Sequence, residues 1–255
     1  GPVVVYEFME GQMWDRHCPT AAELARLAEV WLKMNAALTD DPWMSRGHNR
    51  SFSEIEARFR ALFQTYAAWV EAEFAPARQA VDLCFFLLES RRLVMRELSD
   101  YTPPLCFCRA DPRFANVIQR PDGRLGLVDW EDSGLRDPAR DLADIITHPN
   151  QEDLVSLDRW QAFLQPYIAV RGELDSHLLR RMHLYLALFP AFWLAVLVRE
   201  GMRLVGTDRL VGWNVHGLPG NEKLRRYLAR GLAWPEMDFS NHKKTLADVE
   251  FFPNV

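Results

Sequence analysis

Apolar residues return at helical spacing along much of the chain. Thr20-Ala21-Ala22-Glu23 carries a capping-box signal, in which the Thr and Glu side chains satisfy free N–H groups at a helix start. Leu24, Leu27, Ala28, Trp31, Met34 and Leu38 then fall on one helical face. Ser53-x-x-Glu56 repeats the signal, and Ile55, Phe59, Leu62, Phe63, Tyr66 and Trp69 follow as an apolar stripe that reads as core. Pro76 separates that helix from a third with a long apolar face: Ala80, Leu83, Cys84, Leu87, Leu88, Val94, Met95 and Leu98. Pro103 and Pro104 end it, because proline donates no N–H. Further on, the pattern predicts a helix over 153–170 kinked near Pro166, and one or two buried helices over 174–200 broken near Pro190. A short basic helix over 222–230 is capped by Asn221. Residues 1–11 differ: the β-branched run reads as a strand ending at Gly11.

A second departure from helical periodicity lies in the middle of the chain, where residues 106–143 read CFCRADPRFANVIQRPDGRLGLVDWEDSGLRDPARDLA. Residues 116–119 and 125–128 have strand character, and Arg120-Pro121-Asp122-Gly123 between them is a turn. In such a hairpin Asn116 opens one arm and Asp129 ends the other, so both reach the same open end, beside the loop carrying Asp111. A carboxylate, an amide oxygen and a second carboxylate converging there suit Mg²⁺, which takes few protein ligands and keeps phosphate oxygens and water for the rest.

Composition narrows the possibilities. Of 255 residues, 49% are hydrophobic and 12% aromatic, enough for a sizeable core in one large domain or two small ones. The net charge of −5 argues against a nucleic-acid footprint. Cys18, Cys84, Cys106 and Cys108 show no zinc spacing and read as buried, reduced cysteines of a cytoplasmic protein. No secretory signal is visible. The longest apolar run, 184–198, falls short of the ~18 residues of a spanning helix and contains Pro190, so it reads as a core helix and not a membrane span.

The Asp-x4-Asn pattern, the hairpin, Val128-Asp129-Trp130-Glu131-Asp132 and Asp137-Pro138-Ala139-Arg140-Asp141-Leu142-Ala143 together resemble the aminoglycoside phosphotransferase and choline kinase branch of the protein-kinase-like fold. The resemblance implies an α+β, mainly helical chain, the carboxyl-terminal lobe of that fold, with a short β-hairpin at the catalytic loop and the amino-terminal β lobe largely absent. Residues 1–11 would be edge strand and hinge, 12–236 the helical lobe carrying the catalytic segment, and 237–255 a surface-packed tail. It implies an ATP- or GTP-dependent, Mg²⁺-dependent phosphotransferase acting on a small-molecule hydroxyl. Asp111 would accept or orient the acceptor's proton, while Asn116 and Asp129 would hold Mg²⁺. The backbone of Glu7 and Met9 would face adenine. Arg113, two residues after Asp111, is either a bidentate clamp on the γ-phosphate or a solvated surface residue. Asp141 would accept hydrogen bonds from the catalytic-loop amides, and Asp137-Pro138 would form a turn. Glu131 and Asp132 either approach the metal's outer sphere or are solvated.

Some positions depart from the family's pattern. Arg109 stands where a His is common, and its guanidinium is expected to pair with a nearby carboxylate. Asn35 likewise replaces a frequent His. The Gly-rich phosphate loop and its Lys, which precede the hinge in the family, have no counterpart, and Gly217-Leu218-Pro219-Gly220 lacks the required spacing. A non-catalytic binding or scaffold protein of kinase-like fold is therefore the alternative reading. A metal-dependent hydrolase is weaker, since no His-containing ligand pair occurs at helical spacing. The strand at 3–8 carries unpaired backbone groups, and is expected to pair with a second copy or partner or to be covered by the tail.

Overall fold

The computed structural model describes residues 8–37, 102–151, 154–156 and 158–203, together with Ala57, Arg60, Ala61, Gln64, Glu89, Asn214, Val215, Leu218, Pro219, Glu222, Lys223 and Arg226. Two expected helices, over most of 53–100, and the tail over 237–255 lie outside these residues, as do positions 1–7.

Helix α1, Ala21–Asn35, begins as the capping box requires. The Glu23 N–H donates to Thr20 Oγ1 at 3.3 Å, and the Thr20 N–H donates to Glu23 Oε2 at 2.7 Å. Its apolar face, with Leu24, Leu27, Ala28 and Trp31, is fully buried. Strand β1 is Gln12–Met13, β2 Cys106–Cys108, β3 Val117–Gln119, β4 Leu125–Leu127 and β5 Gly134–Arg136. The strands β1, β3 and β4 form an antiparallel sheet in that order, and β2 pairs with β5. Helix α2, Pro138–Thr147, packs on α4, Leu178–Arg203; α1 packs on α3, Gln161–Leu174. An interlocked aromatic column joins these layers. Trp160 lies 5.9 Å from both Phe114 and Phe163, and Phe163 lies 6.0 Å from Trp31. Each such ring, fully buried, contributes about 1.5–3 kcal/mol.

The hairpin forms as expected. Gly123, at φ 79°, returns its N–H to the Arg120 carbonyl at 2.9 Å, and Asp122 accepts the Arg124 N–H. The first arm starts one residue later than expected, because Phe114–Asn116 form a 3₁₀ turn that delivers Asn116 to the strand's mouth.

Other expectations are corrected. Phe8, Met9 and Glu10 are not strand; pairing begins after Gly11, with Gln12 opposite Gln119. Gly11, at φ 153°, passes so close to β3 that a Cβ there would run into the Gln119 carbonyl. Helix α4 runs through Pro190 without a break. A mid-helix proline costs about 3 kcal/mol. Here the apolar face carrying Met182, Tyr185, Leu186, Phe189 and Leu197 is buried on both sides of that position and outweighs the cost. Helix α3 likewise contains Pro166 but starts at Gln161, after a 3₁₀ turn at Asp158–Trp160, rather than at 153. Leu218–Pro219 pair with Asn214–Val215, and Glu222, Lys223 and Arg226 are helical, as the Asn221 cap predicts.

Asp137-Pro138 is a helix start, not a free-standing turn. Asp137 accepts the Ala139 N–H at 3.0 Å, and Pro138 occupies the first helical position, where no N–H is needed. The same carboxylate meets Arg181 of α4 through two hydrogen bonds, at 2.9 and 3.0 Å. Arg181 also grips Asp175 twice, at 3.0 and 2.6 Å. All three side chains are buried, so one guanidinium fastens the start of α2 to the turn between α3 and α4.

Candidate active site

Strand β2 ends in Arg109-Ala110-Asp111, and α2 supplies the anchor for this loop. The Asp141 carboxylate accepts the Ala110 N–H at 2.9 Å, the Arg109 N–H at 3.3 Å and Trp31 Nε1–H at 2.9 Å. Burial pushes its carboxyl above the usual range despite these three donors. The grip holds Ala110 at φ 66°, a left-handed conformation uncommon for any residue but glycine. Arg109 is buried, and its guanidinium lies over the Trp130 ring at 4.8 Å from the centroid. Its hydrogen bond goes to the Val128 carbonyl, not to a carboxylate as expected, and the Trp130 ring takes up the charge beside it. Asn35 donates to the Phe107 carbonyl at 2.8 Å and accepts from Tyr167, so it too serves the loop's seat.

Asp111, Asn116 and Asp129 meet at the open end of the hairpin. Arg113 joins them: its Nε lies 3.1 Å from Asp111 Oδ2 and its Nη2 lies 3.2 Å from Asp129 Oδ2. Asn116 Nδ2 donates to the same Asp129 oxygen at 3.3 Å. Asp129 stands at φ 65°, which turns its side chain from the end of β4 back toward Asn116. Asp111 is held from the other side by His148, whose Nε2 lies 3.2 Å from Oδ1. Burial pushes the Asp111 carboxyl up, but the His148 hydrogen bond and the charges of Arg113 and Arg109 hold it below its ordinary value. Arg113 is thus an ion-pair partner of both carboxylates while its side chain stays 41% exposed. Glu131 and Asp132 are exposed. Glu7 lies outside the described residues. Met9 is half-buried with its thioether directly over Gly126 of β4, in the space a Cβ at that position would take.

Two groups at this site were not singled out from the sequence. His148 follows the last turn of α2, and Asp144 lies between Asp141 and His148 on the same helical face. The signal was the i, i+3, i+7 spacing from Asp141 on a helix whose opposite side is apolar. Asp144 is 5% exposed, its Oδ1 has no hydrogen-bond partner, and burial pushes its carboxyl well above the usual range. An acid whose folded pKa is raised binds a proton more tightly folded than unfolded, so stability falls as pH rises above the unfolded value. Asp144→Asn is therefore expected to raise the unfolding free energy at pH 8, measured in urea, by about 1–2 kcal/mol, since it removes the cost of burying a carboxylate with one oxygen unbonded. The gain should shrink toward pH 4. An equal gain at both pH values would show that ionisation of Asp144 has no part in it.

Among the described residues no group of three or more His, Cys, Asp or Glu side chains forms a ready-made metal cage. Asn116 and Asp129 nevertheless suit Mg²⁺ by donor type: they lie side by side, Asn116 Nδ2 donating to Asp129 Oδ2 at 3.3 Å, and one amide with one carboxylate is the small protein ligand set such sites use. No helix among the described residues is long and apolar enough to cross a membrane.

The fold has known relatives. The structure is similar to an ethanolamine kinase from Plasmodium vivax, with TM-score 0.55 and 17% identity over 87% of this chain and 63% of the other. A choline/ethanolamine kinase family protein from Mesorhizobium loti gives 0.51 and 20%, covering 87% of this chain and 64% of that one. Spectinomycin phosphotransferase APH(9)-Ia, solved with ADP and spectinomycin, gives 0.57 and 13%, covering 90% and 70%. The chain thus spans less than two thirds of the length of the first two. No curated protein sequence matches. The model of the APH phosphotransferase enzyme family matches residues 1–177, well over half the chain. On that match and this fold, the chain belongs to the APH phosphotransferase enzyme family.

Proposed function

We propose that the chain carries the catalytic end of an ATP- and Mg²⁺-dependent kinase for a small hydroxylated molecule. The observation that carries this reading is the meeting of Asp111, Arg113, Asn116 and Asp129 at one open hairpin end. Asn116 and Asp129 would hold Mg²⁺, which supplies charge neutralisation for the phosphates when bound. The acceptor's hydroxyl oxygen forms a bond to the γ-phosphorus while the bond to the β-phosphate oxygen breaks, and the hydroxyl proton passes to an Asp111 carboxylate oxygen. Arg113 turns from Asp111 and Asp129 to the transferred phosphate, whose two oxygens match its fork. The backbone at Glu7 and Met9 is the adenine-facing segment in this reading; GTP is the alternative nucleotide. The bound ADP in the spectinomycin phosphotransferase structure supports nucleotide use by this fold.

The test uses the full-length protein, assayed for nucleotide consumption against choline, ethanolamine and aminoglycoside acceptors. Turnover that requires both Mg²⁺ and one acceptor is expected. Absence of turnover with every acceptor, alongside intact nucleotide binding, would favour the non-catalytic reading.

A further inference from the structure

We propose that His148 is the positioning residue for Asp111: a neutral imidazole that donates Nε2–H to Oδ1 and keeps the carboxylate aimed while its other oxygen reacts. This rests on the reading of Asp111 as the proton acceptor. The hydrogen-bond directions fix the tautomer. The Asn150 backbone N–H, which can only donate, points at His148 Nδ1 at 3.2 Å. Nδ1 is therefore the acceptor, and the proton of the neutral ring sits on Nε2, 3.2 Å from Asp111 Oδ1. The ring is 4% exposed, and the Trp193 indole of α4 packs against it at 4.5 Å, tilted 68°. Burial pushes the imidazole below its ordinary value, which keeps it uncharged near neutrality.

This arrangement reverses the usual order in a His–Asp pair. With Nδ1 occupied by a backbone donor, His148 has no lone pair free to act as a base. The two partners of Asp111 are also unequal. His148 is buried at the end of α2 and fixed by Asn150 and Trp193, whereas Arg113 is 41% exposed at its side chain and lies on a loop. When Arg113 leaves for phosphate, Oδ2 is freed to receive the hydroxyl proton, while Oδ1 stays with His148. A neutral donor suits this task, because a cation there would depress the basicity of the carboxylate further.

Two measurements test the proposal. In ¹⁵N NMR of this chain at neutral pH, His148 is expected to show a protonated Nε2 and an unprotonated Nδ1, with the Nε2 resonance moving in Asp111→Asn. The opposite tautomer, an imidazolium, or an unmoved Nε2 would overturn the assignment. In the full-length protein, His148→Leu is expected to lower kcat about 10–100-fold with little change in the nucleotide KM, as for loss of alignment at the reacting centre. His148→Gln, whose amide nitrogen reaches close to the Nε2 position, should recover most of that loss; should the Leu variant fail to fold, His148→Asn, which falls short, takes its place. Equal kcat in the Leu (or Asn) variant and wild type would refute the positioning role. If the protein transfers no phosphate at all, the kinase reading falls, while the NMR result still decides whether His148 donates to Asp111.

Discussion

Asp111→Asn should lower kcat about 10²–10⁴-fold, the range for loss of a general base, and leave Mg²⁺-nucleotide affinity nearly intact. Asp129→Ala should do the reverse at the binding step and abolish the Mg²⁺-dependent part of nucleotide affinity. The division follows from position. Asp129 accepts from Asn116 at the hairpin's mouth, where, on the proposed reading, the charge of metal and phosphates would already be present in the ground state. Asp111 is one residue past a strained Ala110 and pairs with His148, and on the proposed reading it would act only when the acceptor loses its proton. Calorimetric titration of each full-length variant with nucleotide, with and without Mg²⁺, separates them. Equal affinity in wild type and Asp129→Ala would reject this assignment. Since Arg113 spans both carboxylates, Arg113→Met should disturb both measurements modestly.

Arg181→Met should destabilise the fold by about 3–5 kcal/mol, the usual result of removing one partner from a buried ionic cluster. The loss is large because the guanidinium satisfies four carboxylate oxygens at once, and its removal leaves Asp137 and Asp175 buried together. Chemical denaturation measures this directly. Adding Asp175→Asn to Arg181→Met should restore part of the stability by removing one stranded charge, and a purely additive further loss would count against the electrostatic account. On the proposed reading activity should fall with stability, because Asp137 starts the helix that carries Asp141, with His148 at its C-cap, beneath the Asp111 loop.

Much of the site was legible in the sequence because its signals are local. A Pro-Asp-Gly turn and a strand on either side of it are decided within a few residues, and they bring Asn116 and Asp129 to the same end of the hairpin. What was illegible depends on contacts far apart in the chain. The break expected at Pro190 did not occur, because burial along α4 decides that helix and the proline does not. Arg109 was expected to seek a carboxylate, but Trp130 took its face and Val128 its fork. His148 could be placed on the face of Asp141 by counting, yet its role depends on Asn150 and Trp193, which no spacing rule links to Asp111. The helices expected around Phe59 and Leu87 lie outside the described residues and bear on none of this.

The segment Met9–Gly11 bears on the hairpin at two glycine-thin points: the Met9 thioether on Gly126, and the Gly11 backbone on Gln119. Neither point has slack, since each already occupies the room of a missing β-carbon. Gly126 lies three residues before Asp129 on the same arm. The seat of the leading segment on the hairpin therefore rests on two absent β-carbons: an alanine at position 126 would drive the Met9 side chain off β4, and one at position 11 would meet the Gln119 carbonyl head on.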